Sequence, residues 1–432
     1  MGRTSGVSVA LLSLSILGSP ALAQPTAGPK PPAASPSQPA GPPRQPAVAP
    51  AALESPKPAP AAKFLGAAVR GSNYAVRPIA RSDGIMRIFE VETPYGAFQF
   101  DGVEFTKMRL QELNAVAALE RMSQSEAWAK SFGRAVVAPV KLGVDFVINP
   151  VDAFGRSMTG ISNMFDRANA SLSNQSSNRD TLADSLLGVS DAQRQLAVEL
   201  GVDPYSDFPP LAQRLRQMAG AMAGGQLTVR AGLAAVTGGI GIGISAASNV
   251  EQAKDTLRDK TAAQVIVEVR GILAGLDVPE DMINRLVENR NYTPADLLIM
   301  SRALAQLGVQ NTAAFVNRAT DAASRGEAYF HRNRAELLAA RRPELGGIVA
   351  FTTVVGHAVN ITRDGRAIAV FPFDDLAWTE LPARTFRAAT AELRRGSPKG
   401  GAVFATTGQV TPVAAAEIKK LGWTIAQVKP AR

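Results

Sequence analysis

His357 stands in VVGHAVNITRDG, ahead of Asp364 and of the pair Asp374-Asp375 in FPFDDLAW. A histidine near carboxylates has the makings of an acid–base centre, with the imidazole moving a proton and an acid orienting it. On that reading His357, Asp364, Asp374 and Asp375 describe a hydrolase. No nucleophile stands at a position that would join them, however. The simpler alternatives are a strand-edge histidine and an acidic pair capping a short helix. The other histidine, His331, lies in the helical YFHRNRAELL and reads as a packed or surface residue. With two histidines and no cysteine, thiolate sites, disulfides and multi-histidine metal centres are excluded. No D-x-D-x-D-G loop is present either. Neither a metal nor a cofactor is expected.

A second feature is AGLAAVTGGIGIGISAA, residues 231–247, in which Ala231, Ala235, Gly239, Gly243 and Ala247 recur at every fourth place. No lysine follows the glycines, so a Walker loop is excluded, and the G-x-G-x-x-G spacing ends on Ile244. Ser245 in GISAA is similar to a nucleophile elbow but lacks its last glycine and the strand that must precede it. The stretch 231–250 is uncharged and long enough to span a bilayer. Its small-residue ladder suits close helix approach in lipid. Its content of Leu, Ile, Val and Phe is thin for insertion, so close packing in a helical hairpin is expected, with membrane insertion as the rival.

The net charge is +9 over 432 residues. From Arg325 onward there are 16 Lys/Arg against 9 Asp/Glu, which gives +7 in that quarter alone. Arg334, Arg341 and Arg342 fall near one another on a helical face and are candidates to meet an anionic partner. For an exported chain that partner is an anionic envelope component or another protein; peripheral membrane contact fits, and nucleic acid is not expected.

Export is read from residues 1–23, where Arg3, an apolar run and the Ala21-Leu22-Ala23 site form a signal-peptide pattern. Localisation in the periplasm or cell envelope follows. Residues 24–62 hold 13 Pro and 11 Ala in 39 positions and should stay disordered and extended, reaching on the order of 120 Å at about 3.1 Å per residue.

The elements that must position these side chains come next. Residues 63–103 read as a small β-meander, with turns at Ser82-Asp83-Gly84 and Thr93-Pro94-Tyr95-Gly96. Residues 104–342 read as a helical body. Ser190-x-x-Gln193 and Thr261-x-x-Gln264 are capping-box patterns, and Thr293-Pro294-Ala295-Asp296 is a helix start. Leu-Gly pairs at 200–201, 307–308 and 421–422 are helix ends. Residues 169–180 form a polar loop. Residues 343–432 read as a basic α/β unit: strands at 347–355 and 367–373 joined by an Arg363-Asp364-Gly365 turn, a helix over 382–395, a strand at 401–408 and a helix from Thr411-Pro412 to Gly422. The fold class is α+β, predominantly helical.

GVDPYSDFPPL (201–211), NRNYTPADL (289–297) and the segment from TGQVTP to LGW (407–423) resemble parts of a group of exported bacterial proteins of unknown function. The resemblance covers most of the mature chain and implies an envelope role, with no functional residues to carry over. The expectation is an exported envelope-facing structural or binding protein whose basic carboxyl-terminal region meets anionic partners. Enzymatic activity is not favoured; the hydrolase and the membrane-inserting readings are the alternatives.

Overall fold

Alternating apolar residues and two tight turns fold the amino-terminal strands into an antiparallel sheet. The computed structural model describes residues 52–124, 164–165, 189–223, 248–396 and 401–431, within one compact unit spanning Ala51–Arg432. The sheet contains β1 (Ala59–Pro60), β2 (Ala75–Val76), β3 (Ile79–Ser82), β4 (Arg87–Thr93) and β5 (Gly96–Asp101). Its longest strand, β4, alternates inward Phe89 and Val91 with outward Glu90 and Glu92, and it pairs with β2, β3 and β5. A short helix α1 (Ala62–Leu65) lies between β1 and β2.

The 24–62 segment does not stay free to its end. The Glu54 N–H donates to the Trp378 carbonyl, and β1 pairs with β3 at Ala59↔Ala80. Pro60 costs nothing there, because an edge strand leaves one row of donors unused.

The helical body follows as α2 (Val103–Ser123), α3 (Asp191–Glu199), α4 (Pro209–Ala223), α5 (Ser248–Asp259), α6 (Ala262–Ala274), α7 (Glu280–Val287), α8 (Pro294–Leu307), α9 (Thr312–Ala319) and α10 (Arg325–Arg341). Its starts obey the local signals. Thr261 and Thr293 each form a full capping box, while Ser190 accepts from the Gln193 N–H but Gln193 turns its side chain to the Pro204 carbonyl. Gly308 ends α8 in the left-handed conformation at φ 56°, where a side chain would be strained. The small-residue ladder at Ala231, Ala235, Gly239, Gly243 and Ala247, and the polar loop 169–180, lie outside the described residues. Among those described, no helix is long and apolar enough to cross a membrane.

α10 is the spine of the protein. It packs against α8, α2 and the carboxyl-terminal sheet, and it is buried on every side although its sequence alternates charge with apolar residues. Helices buried all round are ordinarily apolar all round. This one is tolerated because its charges find partners.

The carboxyl-terminal sheet runs in the order β12-β10-β8-β7-β6. β6 (Ile348–Val354), β7 (His357–Thr362) and β8 (Ala367–Phe371) are antiparallel neighbours, whereas β10 (Ala402–Thr406) and β12 (Trp423–Gln427) run parallel to β8. Helices α11 (Glu380–Gly396) and α12 (Pro412–Lys420) make the crossovers, and the short pair β9 (Asp375–Leu376) and β11 (Gln409–Val410) closes the end. Along β8, Ile368 and Val370 enter the core shared with α8 and α10, while Ala367, Ala369 and Phe371 face the core built with α11 and α12. Both faces of this sheet are therefore covered, which explains its run of apolar residues.

Candidate functional site

His357 opens β7 and is 4 % exposed. It stacks on Phe165 with ring centroids 4.6 Å apart and borders an apolar cavity of about 50 Å³ that Val359, Phe371 and Phe404 also line. Among the described residues its Nε2 has no hydrogen-bond partner. Burial, with the charges of Arg318 and Arg334 nearby, holds its pKa well below the ordinary value, so the ring is neutral.

The three carboxylates are held elsewhere. Asp364 sits in the β7–β8 turn, at the opposite end of β7 from His357, exposed and paired with Arg366 at 2.7 Å. Asp374 and Asp375 leave the end of β8 and fasten it to the amino-terminal sheet. The backbone N–H groups of Arg87 and Val103 donate to Asp374 Oδ2 at 2.8 and 3.0 Å. Val103 is the first residue of α2, so Asp374 caps that helix from outside, where a negative charge is favourable. Burial nevertheless pushes its carboxyl up to about 8, against those two donors. Asp375 binds Arg87 at 2.5 Å and accepts from Ser82 Oγ at 3.2 Å. Histidine and carboxylates do not form one constellation: none of the three acids hydrogen-bonds the imidazole.

The arginines expected on one surface also separate. Arg334 is 1 % exposed, in the middle of α10. β7 and β8 pair only at Asn360↔Ile368 and Ile361↔Ala367 and then diverge. The Arg334 guanidinium fills the gap, donating through Nε to the Val370 carbonyl at 2.7 Å and through its terminal nitrogen to the Ala358 carbonyl. It also lies 4.1 Å from the Phe371 ring centroid. It therefore bridges two strands and cannot meet a partner in solution. Arg341 is tied down as well, to the Lys429 and Pro430 carbonyls and to Glu344. Arg342 begins a 3₁₀ turn and is half-buried.

A buried ion-pair cluster is the largest feature that sequence reading did not anticipate. Arg109 of α2 binds Glu112 and Asp207; Arg325 binds Asp207 at 3.2 Å and Asp296 at 2.8 Å; Arg332 binds Asp296 at 3.0 Å. Burial alone would raise Asp207, but Arg109 and Arg325 outweigh it and pull the carboxyl down to about 2. Asp203 has no such guanidinium in contact, and burial together with Asp296 lifts it to about 6. The segments 201–211 and 289–297 meet here: Thr293 Oγ donates to Asp203 Oδ2 at 2.6 Å. Every charge in the cluster faces another charge or a backbone group, which is the arrangement of a structural junction.

A set of exposed positive charges lies on α11. Its buried face is Ala383, Phe386, Ala389, Thr390 and Leu393. Arg384, Arg387, Arg394 and Arg395 are all exposed. At about 100° per residue they share an arc of roughly 100° on the opposite face. The acid most able to neutralise this face, Glu392, accepts instead from the Val355 N–H at 2.9 Å. Among the described residues no carboxylate pairs with Arg387, Arg394 or Arg395. α12, on the same side of the sheet, adds exposed Lys419 and Lys420. The signal was legible in ARTFRAATAELRR: apolar residues recur at one helical phase and arginines at the other. No group of residues able to hold a metal ion occurs among the described residues.

Comparison with protein-family models, with curated proteins and with solved structures finds no match to this chain.

Proposed function

We propose that this chain is an exported binding protein of the cell envelope, and that its basic carboxyl-terminal unit docks onto anionic lipid headgroups through the exposed face of α11. The observation that carries this reading is the set Arg384, Arg387, Arg394 and Arg395 on one exposed arc of a helix whose other face is anchored in the core. Guanidinium groups pair with phosphate oxygens bidentately, and a helix lying flat on a membrane can present all four at once. The neighbouring α12 lysines widen the same field.

The test is co-sedimentation of the mature chain with vesicles of phosphatidylcholine, alone or mixed with phosphatidylglycerol. Binding to the anionic vesicles is expected and should fall with added salt. At about 1 kcal/mol per basic residue near a charged surface, the Arg387→Glu/Arg394→Glu/Arg395→Glu variant should bind on the order of a hundredfold more weakly. These side chains are exposed, so the variant should melt as the parent does. Equal partition onto neutral and anionic vesicles, or unchanged binding of the variant, would overturn the reading.

A further inference from the structure

β8 and β10 run parallel, so both present their carboxyl ends at one edge of the sheet. In open α/β sheets that edge is where ligands are received, because the chain diverges there and leaves a crevice. Here the crevice is a cleft of about 230 Å³. Its floor is Phe373, Asp374, Thr407 and Gly408, and the first turn of α2 and the centre of α10 form its walls.

Two features of the cleft point to a ligand. Asn333, from α10, lines it and is 8 % exposed, and its carboxamide has no hydrogen-bond partner among the described residues. Its amide is not fully enclosed and stays reachable from the cleft. Lys63 and Lys107 also line the cleft from separate helices, and both are exposed. Lys107 pairs with Glu104 at 2.8 Å, while Lys63 rests 5.8 Å from the Phe64 ring centroid and has no carboxylate in contact among the described residues. The floor itself is closely packed backbone. A Cβ on Gly408 would lie 2.1 Å from the Asp374 carbonyl oxygen, so only glycine lets these two backbone segments meet.

We propose that this cleft binds a small organic monocarboxylate with a short apolar chain. The carboxylate is met by Lys63, Lys107 and the Asn333 amide, and the chain lies against Phe64, Leu337 and Phe373. The charge count favours a monoanion over phosphate. The two lysines are opposed by Glu104 and Asp374, and with Asp374 protonated near neutrality the cleft carries one surplus positive charge. A dianion would meet Glu104 unfavourably. The α2 amino terminus adds its partial positive charge to the same side. This site is separate from the α11 face, and either can fail without the other.

Titration calorimetry of the full mature chain with sodium butyrate tests it, with inorganic phosphate as the competing probe. Saturable butyrate binding is expected, stronger than that of phosphate. Asn333→Asp keeps the side-chain shape but adds a negative charge and should weaken butyrate at least tenfold. Lys63→Gln/Lys107→Gln changes only exposed side chains, retains the fold and should weaken it by a similar factor. Arg387→Glu, on the α11 face, should leave it unchanged. The proposal is overturned if butyrate does not saturate, if phosphate binds better, if Asn333→Asp strengthens binding, or if the lysine variant binds as the parent does.

Discussion

His357 and Asp374 are both buried, one a base kept neutral and the other an acid kept protonated, and their titrations act on stability with opposite sign. The unfolded chain protonates His357 near pH 6.5 while the folded chain resists, so stability falls as pH drops below that value. Asp374 ionises near 3.8 when unfolded and near 8 when folded, so the folded state holds the extra proton in between and stability falls as pH rises across that window. Asp101, lifted to about 7 by burial and Asp83, acts in the same direction as Asp374. Each group contributes a slope of at most about 1.4 kcal/mol per pH unit. Urea unfolding at pH 5 and pH 8 separates them. His357→Phe should raise stability at pH 5 relative to pH 8 by about 1–2 kcal/mol. Asp374→Asn should lower it by about 2–4 kcal/mol on the same difference. The asparagine Oδ1 can still accept from both N–H groups, since both donate to Oδ2 of the aspartate. No change in either difference would mean that the two sites are solvated. As residue types these groups were visible in the sequence. Their separation was not, because it depends on Asp374 leaving the end of β8 and turning to the backbone of Arg87 and Val103, away from the imidazole.

Helix starts and stops are set by residues within one turn of one another, and these could be read directly. Thr261, Thr293 and Thr411 cap the helices their positions indicated, and β6, β8, β10, α11 and α12 lie within two residues of expectation, whereas β7 and β12 of the same sheet were not expected. α10 could not be placed in the same way. Its sequence has no apolar stripe because it is buried on all sides, and its arginines read as a surface only when their partners on α8, β7 and β8 are unknown. The α11 arginines also share one helical phase, as Arg334 and Arg341 do; what separates the two sets is that α10 is enclosed by its neighbours while one face of α11 is open. Two threonine caps give a test at this scale. Thr261 is an exposed cap that serves its own helix. Thr293 is buried; it caps α8 and also holds Asp203 at 2.6 Å, joining the 201–208 loop to that helix. Thr261→Ala should cost about 1 kcal/mol, the usual loss for a cap, and Thr293→Ala about 2 kcal/mol or more, since it also leaves buried Asp203 without its donor. Equal costs in chemical denaturation would show that the loop bond contributes nothing.

The carboxyl-terminal unit looks self-sufficient in sequence, with strand, helix, strand and helix in an order that closes a small sheet. In the molecule it is one side of a larger construction. α10 and α9 cover the sheet face that carries Ile348, Phe351, Ile368 and Val370. Arg334 reaches in from α10 to satisfy two of its carbonyls. Glu54, near the end of the proline-rich segment, accepts from the Trp378 N–H and from Thr411 Oγ, both at 2.6 Å. The β3–β4 turn supplies the Gly84 and Ile85 carbonyls that receive Asp374, Asp375 and Ala377. Residues 343–432 expressed alone would therefore expose one whole apolar face of the sheet, and they would leave the open β7–β8 gap without the donor that fills it. Calorimetry of the full chain should show these residues melting in the same cooperative transition as α8 and α10. The isolated 343–432 fragment should show no sharp transition and should bind a hydrophobic dye strongly. Adding Arg334→Leu to the full chain should cost about 2–4 kcal/mol, because two buried carbonyls lose their partner. A fragment that melted cooperatively by itself would make the α/β unit an autonomous domain. The α10 contacts would then be an interface between two folded bodies rather than the core that both share.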